Sequence, residues 1–269
     1  MVVIDYLVVG AGVAGTYTAL ELSKKKDKSV LLIEKSNRVG GRLKTSQVEK
    51  DISLEAGAAR FSNLHVKLVK LIKTLGLDDK KIKITSDTKF IPYRKVYKNL
   101  PFETVEELMN DLVKKANRLP KKTQMTFTFV SFCEKVYGKE ATDFLVNAFA
   151  YYGRIKYMNL HDVVRSLNDY INYKVQFYIL AGGLQQVALR CVEEMKKNGG
   201  RLNLNAELCD FTYNDNEKLY QVLVDKKGKQ TKILCHHLIL AIPKEFLEKV
   251  KYFKIDAELM KLVKTVRPY

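Results

Sequence analysis

The turn Gly10-Ala11-Gly12-Val13-Ala14-Gly15 constrains this chain more than any other stretch, because of what flanks it. An apolar, β-branched run at residues 2–9 precedes it. A helical pattern from about Val13 to Lys26 follows, then a second apolar run at residues 29–33 that ends in Glu34. This order predicts a β-α-β unit at the head of the chain. Each glycine answers a physical need of a turn that holds a dinucleotide. Gly10 permits the tight strand-to-helix turn. Gly12 lets the backbone approach a pyrophosphate with no Cβ in the way. Gly15 lets the helix pack close to the sheet. The start of the helix, with Val13 and Ala14 in its first turn, offers free N–H groups and partial positive charge to phosphates. Glu34 is placed to accept hydrogen bonds from both ribose hydroxyls and to repel a 2′-phosphate, which argues against NADP.

Downstream, residues 62–75 place Leu64, Leu68, Leu71, Ile72 and Leu75 on one helical face, and Gly76 is the expected stop. From about residue 85 to 175 the character changes. Short strands around Pro92 and Pro101 lead into helices near 103–117, 123–137, 139–150 and 160–172. Gly182-Gly183 precedes a helix over 184–197, which Gly199-Gly200 ends. Strand-like runs follow at 201–213, 219–225 and 231–242, the last two joined by a Lys227-Gly228 hairpin turn. The chain is therefore expected to leave a nucleotide domain, build a helical one, and return.

Composition narrows the classes. With 46% hydrophobic and 29% charged residues, the 269-residue chain reads as globular rather than disordered. No apolar run approaches the roughly 20 residues of a membrane span. The N-terminal run reads as a first strand rather than a signal peptide, so an intracellular, cytoplasmic location is expected. A viral particle is the alternative, should the lysine-rich composition reflect an AT-rich viral genome. The net charge of +17 comes as scattered lysine pairs such as Lys80-Lys81 and Lys226-Lys227, without a stripe of interleaved aromatics. This predicts solvated lysines and no specific nucleic-acid partner. Cys133, Cys191, Cys209 and Cys235 form no C-x-x-C pair and read as reduced, mostly buried thiols. No metal site is expected; His236 and His237 are adjacent in a predicted strand and point to opposite faces. His65 and His161 read as helix-surface residues.

The string Glu34-Lys35-Ser36-Asn37-Arg38-Val39-Gly40-Gly41-Arg42 resembles the E-x-x-x-R-x-G-G-R signature of the flavin-containing amine oxidase superfamily. The resemblance implies an α/β fold, a Rossmann-like FAD-binding domain (residues 1–85 plus 178–269) with an inserted, mostly helical substrate domain (86–177). A second glycine pair would let another backbone stretch approach FAD, and Arg42 could neutralise pyrophosphate charge. Arg38 is expected to form a salt bridge that holds the loop. The segment Gly57-Ala58-Ala59-Arg60 looks like the family stretch that passes close to the flavin ring. Its Ala-Ala-Arg-Phe version is most similar to L-amino-acid oxidases, where the matching arginine binds the substrate carboxylate. Arg60 inherits that role as one reading; pairing with Glu55 or bracing the flavin is the other. Tyr178 to Leu184 resembles the segment where the chain returns to the FAD domain. Leu202 to Leu208 looks like the strand whose backbone contacts adenine. Leu208 reads either as that contact or as plain sheet core. The implied cofactor-binding set is thus Gly10, Gly12, Val13, Ala14, Gly15, Glu34, Lys35, Gly40, Gly41, Arg42, Gly57, Ala58, Ala59, Arg60 and Leu208. No catalytic residue is named. Tyr151, Tyr152 and Tyr157 read as helical core or, alternatively, as a substrate channel.

The implied activity is oxidation of an amine or amino acid to an imine with oxygen as acceptor. Family members are longer, and their final portion completes the flavin pocket. The expectation is weak FAD retention and a completing or neighbouring protein chain. The alternatives are an inactive flavoprotein-fold subunit with a binding or structural role, and a desaturase or porphyrinogen oxidase.

Overall fold

The computed structural model describes residues 2–50, 52–84, 97, 100–149, 151–172 and 175–266. The chain divides into two compact units, residues 1–84 with 176–267 and residues 85–175 with 268–269.

The first unit opens with β1 (Val3–Val9), α1 (Val13–Ser23) and β2 (Val30–Ile33), the β-α-β order that the apolar runs dictate. A two-stranded ribbon follows, β3 (Thr45–Glu49) and β4 (Ile52–Glu55), then β5 (Phe61–Ser62), α2 (Val66–Thr74) and β6 (Lys81–Lys83). Leu68, Leu71, Ile72 and Leu75 of the α2 region pack into one core, as their helical spacing requires. Gly76 ends the helix in a left-handed conformation, φ 68°, with the Leu77 N–H closing back onto the Ile72 carbonyl.

The second unit is helical: α3 (Val105–Asn117), α4 (Lys121–Gln124), α5 (Phe129–Ala148), α6 (Tyr152–Tyr157) and α7 (Leu160–Asn172). Its core gathers Leu108, Leu112, Phe129, Phe132, Leu145, Ile155 and Leu160. The Thr104 hydroxyl accepts the Glu107 N–H, and the Thr128 hydroxyl the Ser131 N–H, so side-chain caps set the starts of α3 and α5. The cap at Thr128 explains why a helix expected from residue 123 begins as the separate α4. Gly138, at φ 75°, breaks α5 where two helices were expected. The strands expected around Pro92 lie outside the described residues, and Pro101 starts a bend. Tyr151, Tyr152 and Tyr157 are exposed rather than core, at 52%, 37% and 67%. The six-residue α6 is too short to bury more than Ile155.

The chain returns to the first unit through β7 (Phe177–Leu180), α8 (Gln186–Lys197), β8 (Arg201–Asn203), β9 (Glu207–Asn214), β10 (Leu219–Lys226) and β11 (Lys229–Leu240), and α9 (Lys244–Leu247), α10 (Lys251–Ile255) and α11 (Ala257–Thr265) complete the order. Six strands form one sheet in the order β8-β2-β1-β11-β10-β9. The neighbours β8, β2, β1 and β11 run parallel, while β9 and β10 are antiparallel additions. The β10–β11 hairpin turns at Lys227 and Gly228, both with positive φ (56° and 82°), as a two-residue turn demands. The run expected as one strand over 201–213 is two. Asn205 adopts φ 53° and carries the chain from one edge of the sheet to the other. Leu208 therefore lies in β9 opposite Val224, half-buried against the sheet core.

Cys133, Cys191 and Cys235 are buried and all four thiols are free. Burial pushes the Cys191 thiol up to about 11 and the Cys235 thiol up to about 12. Among the described residues, no helix is long and apolar enough to cross a membrane, and no group of His, Cys, Asp and Glu could hold a metal ion.

Candidate functional site

The strand-to-helix turn after β1 is wedged between its neighbours. The Gly10 N–H donates to the Ile33 carbonyl at 2.8 Å, and a Cβ on Gly10 would lie 2.6 Å from the Ala241 oxygen. With φ at 99°, only glycine fits there without strain. Gly15 is packed just as closely: a Cβ would fall 1.8 Å from the Gly10 oxygen. Gly12 differs. A Cβ there would make only an ordinary contact, with the Gly41 Cα at 3.9 Å, so the fold itself does not demand glycine at this position. Gly12 is also the N-cap of α1, without a side-chain cap or an acidic residue in the first turn, and Val13 and Ala14 are exposed. The first turn of the helix is thus exposed, and its first N–H groups have no capping side chain.

The second glycine pair lies against the first. Gly12 and Gly40 form a parallel bridge, and the Gly40 N–H donates to the Ala11 carbonyl at 2.8 Å. A Cβ on Gly41 would approach the Gly12 Cα to 3.0 Å. Arg38 holds this loop by donating to the carbonyls of Gly41 (2.7 Å) and Leu43 (3.3 Å), where a salt bridge was expected. The reason is local: the loop turns its own carbonyls toward the guanidinium. Arg42 is exposed.

Glu34 ends β2 as the pattern requires, and it already has donors of its own. One carboxylate oxygen, Oε2, accepts the Ala11 N–H at 2.7 Å; the other, Oε1, accepts the Ser36 N–H and hydroxyl at 2.9 and 2.8 Å. A carboxylate has about four acceptor positions, so Oε2 keeps capacity for a further hydroxyl. The Ala206 N–H donates to the Glu34 carbonyl and the Asn205 N–H to the Ser36 carbonyl, bringing the stretch before Leu208 beside the acid. Neighbouring Lys35 lies over the Phe246 ring, 3.6 Å from its centroid.

A third segment joins at Gly57, where a Cβ would collide with the Arg42 oxygen at 1.9 Å; the Ala58 N–H donates to that same oxygen. Ala58, Ala59 and Arg60 are exposed, and the Arg60 guanidinium lies 4.7 Å from the centre of the Phe177 ring. Glu55 is committed elsewhere, with its oxygens accepting the Leu184 N–H and the Thr45 hydroxyl.

The sequence reading missed Gln185. Its side-chain amide donates to the Val39 carbonyl at 2.7 Å and accepts the Thr45 N–H at 2.9 Å. Four separate stretches, 10–15, 34–45, 55–60 and 183–185, thus converge, with Gly12 against Gly40 and Gly41. The arrangement is a backbone-lined cradle suited to an extended, doubly phosphorylated ligand. Among the described residues it contains no assembled acid–base cluster.

A family model described as flavin containing amine oxidoreductase matches residues 13–257. A stretch of 80 residues is 44% identical to achacin of Lissachatina fulica, covering 29% of this chain and 15% of that protein. A stretch of 73 residues is 47% identical to an L-amino-acid oxidase of Mus musculus, covering 27% of this chain and 11% of that protein. A solved structure of putrescine oxidase bound to putrescine has the same fold, with a TM-score of 0.66 at 22% identity, over 93% of this chain and 60% of that one. The chain therefore spans well under the full length of the proteins it resembles.

Proposed function

The chain belongs to the flavin-containing amine oxidoreductase family, whose cofactor is FAD, and from that premise we propose that it forms the nucleotide-binding part of an FAD-dependent oxidase of an α-amino acid or other amine. The observation that carries this reading is that Gly12, which the packing does not require to be glycine, lies at the start of α1 directly against Gly40 and Gly41. A pyrophosphate needs backbone on both sides, no Cβ between, and N–H donors from a helix start. In this reading Gly10, Gly12, Val13, Ala14 and Gly15 hold the pyrophosphate from one side, and Gly40, Gly41 and Arg42 from the other. Glu34 takes a ribose hydroxyl on Oε2, and Lys35 and Leu208 lie along the adenosine end. Gly57, Ala58 and Ala59 run beside the flavin.

FAD supplies the two-electron oxidation chemistry, with oxygen as the final acceptor. The protein's part is to bind, orient and exclude water. Arg60 is the group suited to a substrate carboxylate, since its planar fork matches one and its ring contact with Phe177 orients it. This favours amino acids over polyamines, and the 47% identical stretch of the mouse L-amino-acid oxidase supports the same choice.

The test is a titration of the purified protein with FAD, read by flavin absorption and fluorescence, followed by peroxide assays with L-amino acids and diamines. Saturable binding near one FAD per chain, with peroxide from amino acids and a raised KM in Arg60→Ala, is expected. A chain that ignores FAD sinks the proposal. Turnover of diamines unaffected by Arg60→Ala sinks the amino-acid choice alone.

A further inference from the structure

We infer that Gln185 is a positioning residue that shapes the second glycine loop for FAD, an inference that rests on the FAD reading above. The loop carrying Gly40, Gly41 and Arg42 runs from Val39 to Thr45, and the amide of Gln185 binds both of its ends. The Nε2 group donates to the Val39 carbonyl at 2.7 Å, and Oε1 accepts the Thr45 N–H at 2.9 Å. The backbone N–H of Gln185 donates to the Thr45 hydroxyl at 3.3 Å. That hydroxyl donates to Glu55 Oε2 at 2.9 Å, and Glu55 Oε1 accepts the Leu184 N–H at 2.5 Å. The circuit closes through Thr45, Glu55 and the Leu184-Gln185 backbone.

A glutamine is suited to this task because one short side chain presents a donor and an acceptor side by side. It answers a carbonyl at one loop end and an N–H at the other. Steric fit adds to it: a Cβ on Gly40 would meet the Gln185 Cγ at 3.1 Å, and one on Gly183 would collide with the Thr45 side chain at 2.2 Å. The loop's middle is fixed by the Gly40 to Ala11 hydrogen bond, so clamping its ends leaves little freedom where Gly41 and Arg42 face the ligand. Order supplied before binding is order the ligand need not impose.

The adjacent Gln186 provides the control. Its Nε2 donates to the Ala181 and Gly183 carbonyls, and its Oε1 accepts from Lys80, so it has one side-chain hydrogen bond more than Gln185 but serves its own turn and a different neighbour. In the full chain, Gln185→Leu is expected to weaken FAD affinity about tenfold or more, the scale of losing two hydrogen bonds that preorganise a site. Gln186→Leu is expected to lower the unfolding temperature of the FAD-free protein comparably while leaving FAD affinity within about twofold. Gln185→Glu, which keeps the acceptor for Thr45 and loses the donor for Val39, tests the same loop should the leucine variant not fold, and weaker FAD binding is again expected. Equal FAD affinity in wild type and both Gln185 variants, or equal losses in the Gln185 and Gln186 variants, overturns the inference. A wild-type chain that binds no FAD overturns the FAD reading itself, and this inference with it.

Discussion

Gly12 and Gly15 lie on one turn of chain and face opposite demands. A Cβ at Gly12 makes only an ordinary contact, 3.9 Å from the Gly41 Cα, whereas one at Gly15 enters the Gly10 carbonyl at 1.8 Å. Gly12→Val is therefore expected to leave the FAD-free melting temperature nearly unchanged and to abolish measurable FAD binding. Gly15→Val is expected to destabilise the fold by about 1–3 kcal/mol or more through overpacking. Thermal melts with and without FAD read both; a Gly12 variant that binds FAD normally would remove that residue from the cradle. The glycines and Glu34 were legible in the sequence because turn chemistry and a strand-end acid are local signals. Gln185 was not, since its partners Thr45 and Val39 are 140 and 146 positions away and nothing around it marks it as special. Arg38 was legible as a loop holder, but its acceptors are carbonyls that only the folded loop presents.

Strand β1 is fastened at its start by Asp5, whose carboxylate accepts the Ser29 N–H and hydroxyl at 2.8 and 2.7 Å and faces Lys28 at 3.3 Å. These donors hold its pKa down at about 2. A carboxylate depressed in the folded state contributes stability fully above its unfolded pKa of about 3.9 and loses it as pH falls through the folded value. Asp5→Asn is thus expected to cost on the order of 1 kcal/mol near pH 7, after solvent screening. The difference from wild type should shrink as pH drops from about 4 toward 2, which denaturant unfolding across that range would show; a constant difference would refute it. Elements as such were readable where period and stop signals agreed, as in α2 before Gly76 and the β10–β11 hairpin. The break at Asn205 was hidden because β-forming residues continue on both sides of it. The exposed tyrosines of α6 were misread because periodicity cannot tell a short helix from a long one.

The parallel arrangement of β1, β2, β8 and β11 follows from the β-α-β start, but the crossing of β9 to the far edge of the same sheet does not. Burial at this scale has a chemical readout. Thiolate is the reactive form of cysteine, and burial raises the pKa of all four thiols, but it closes only Cys133, Cys191 and Cys235 to reagent. Only Cys209, half-exposed on β9, is expected to react promptly with an aromatic disulfide reagent at pH 8. The other three should follow slowly, each at a rate set by opening of the core that covers it. Prompt labelling of more than one thiol per chain would contradict the core described above.

The place of β1 between β2 and β11 also bears on synthesis. On the ribosome, β2 follows β1 closely, whereas the partner for the other edge of β1 is a strand that ends at Leu240. At about 5–20 residues per second the wait is on the order of 10–50 s. During that time a run of Val, Ile, Leu and Tyr presents an unpaired rim to every other nascent chain nearby. The lysines at 24, 25, 26 and 28, exposed between α1 and β2, flank the start of β2, charge of the kind that discourages strand-to-strand aggregation.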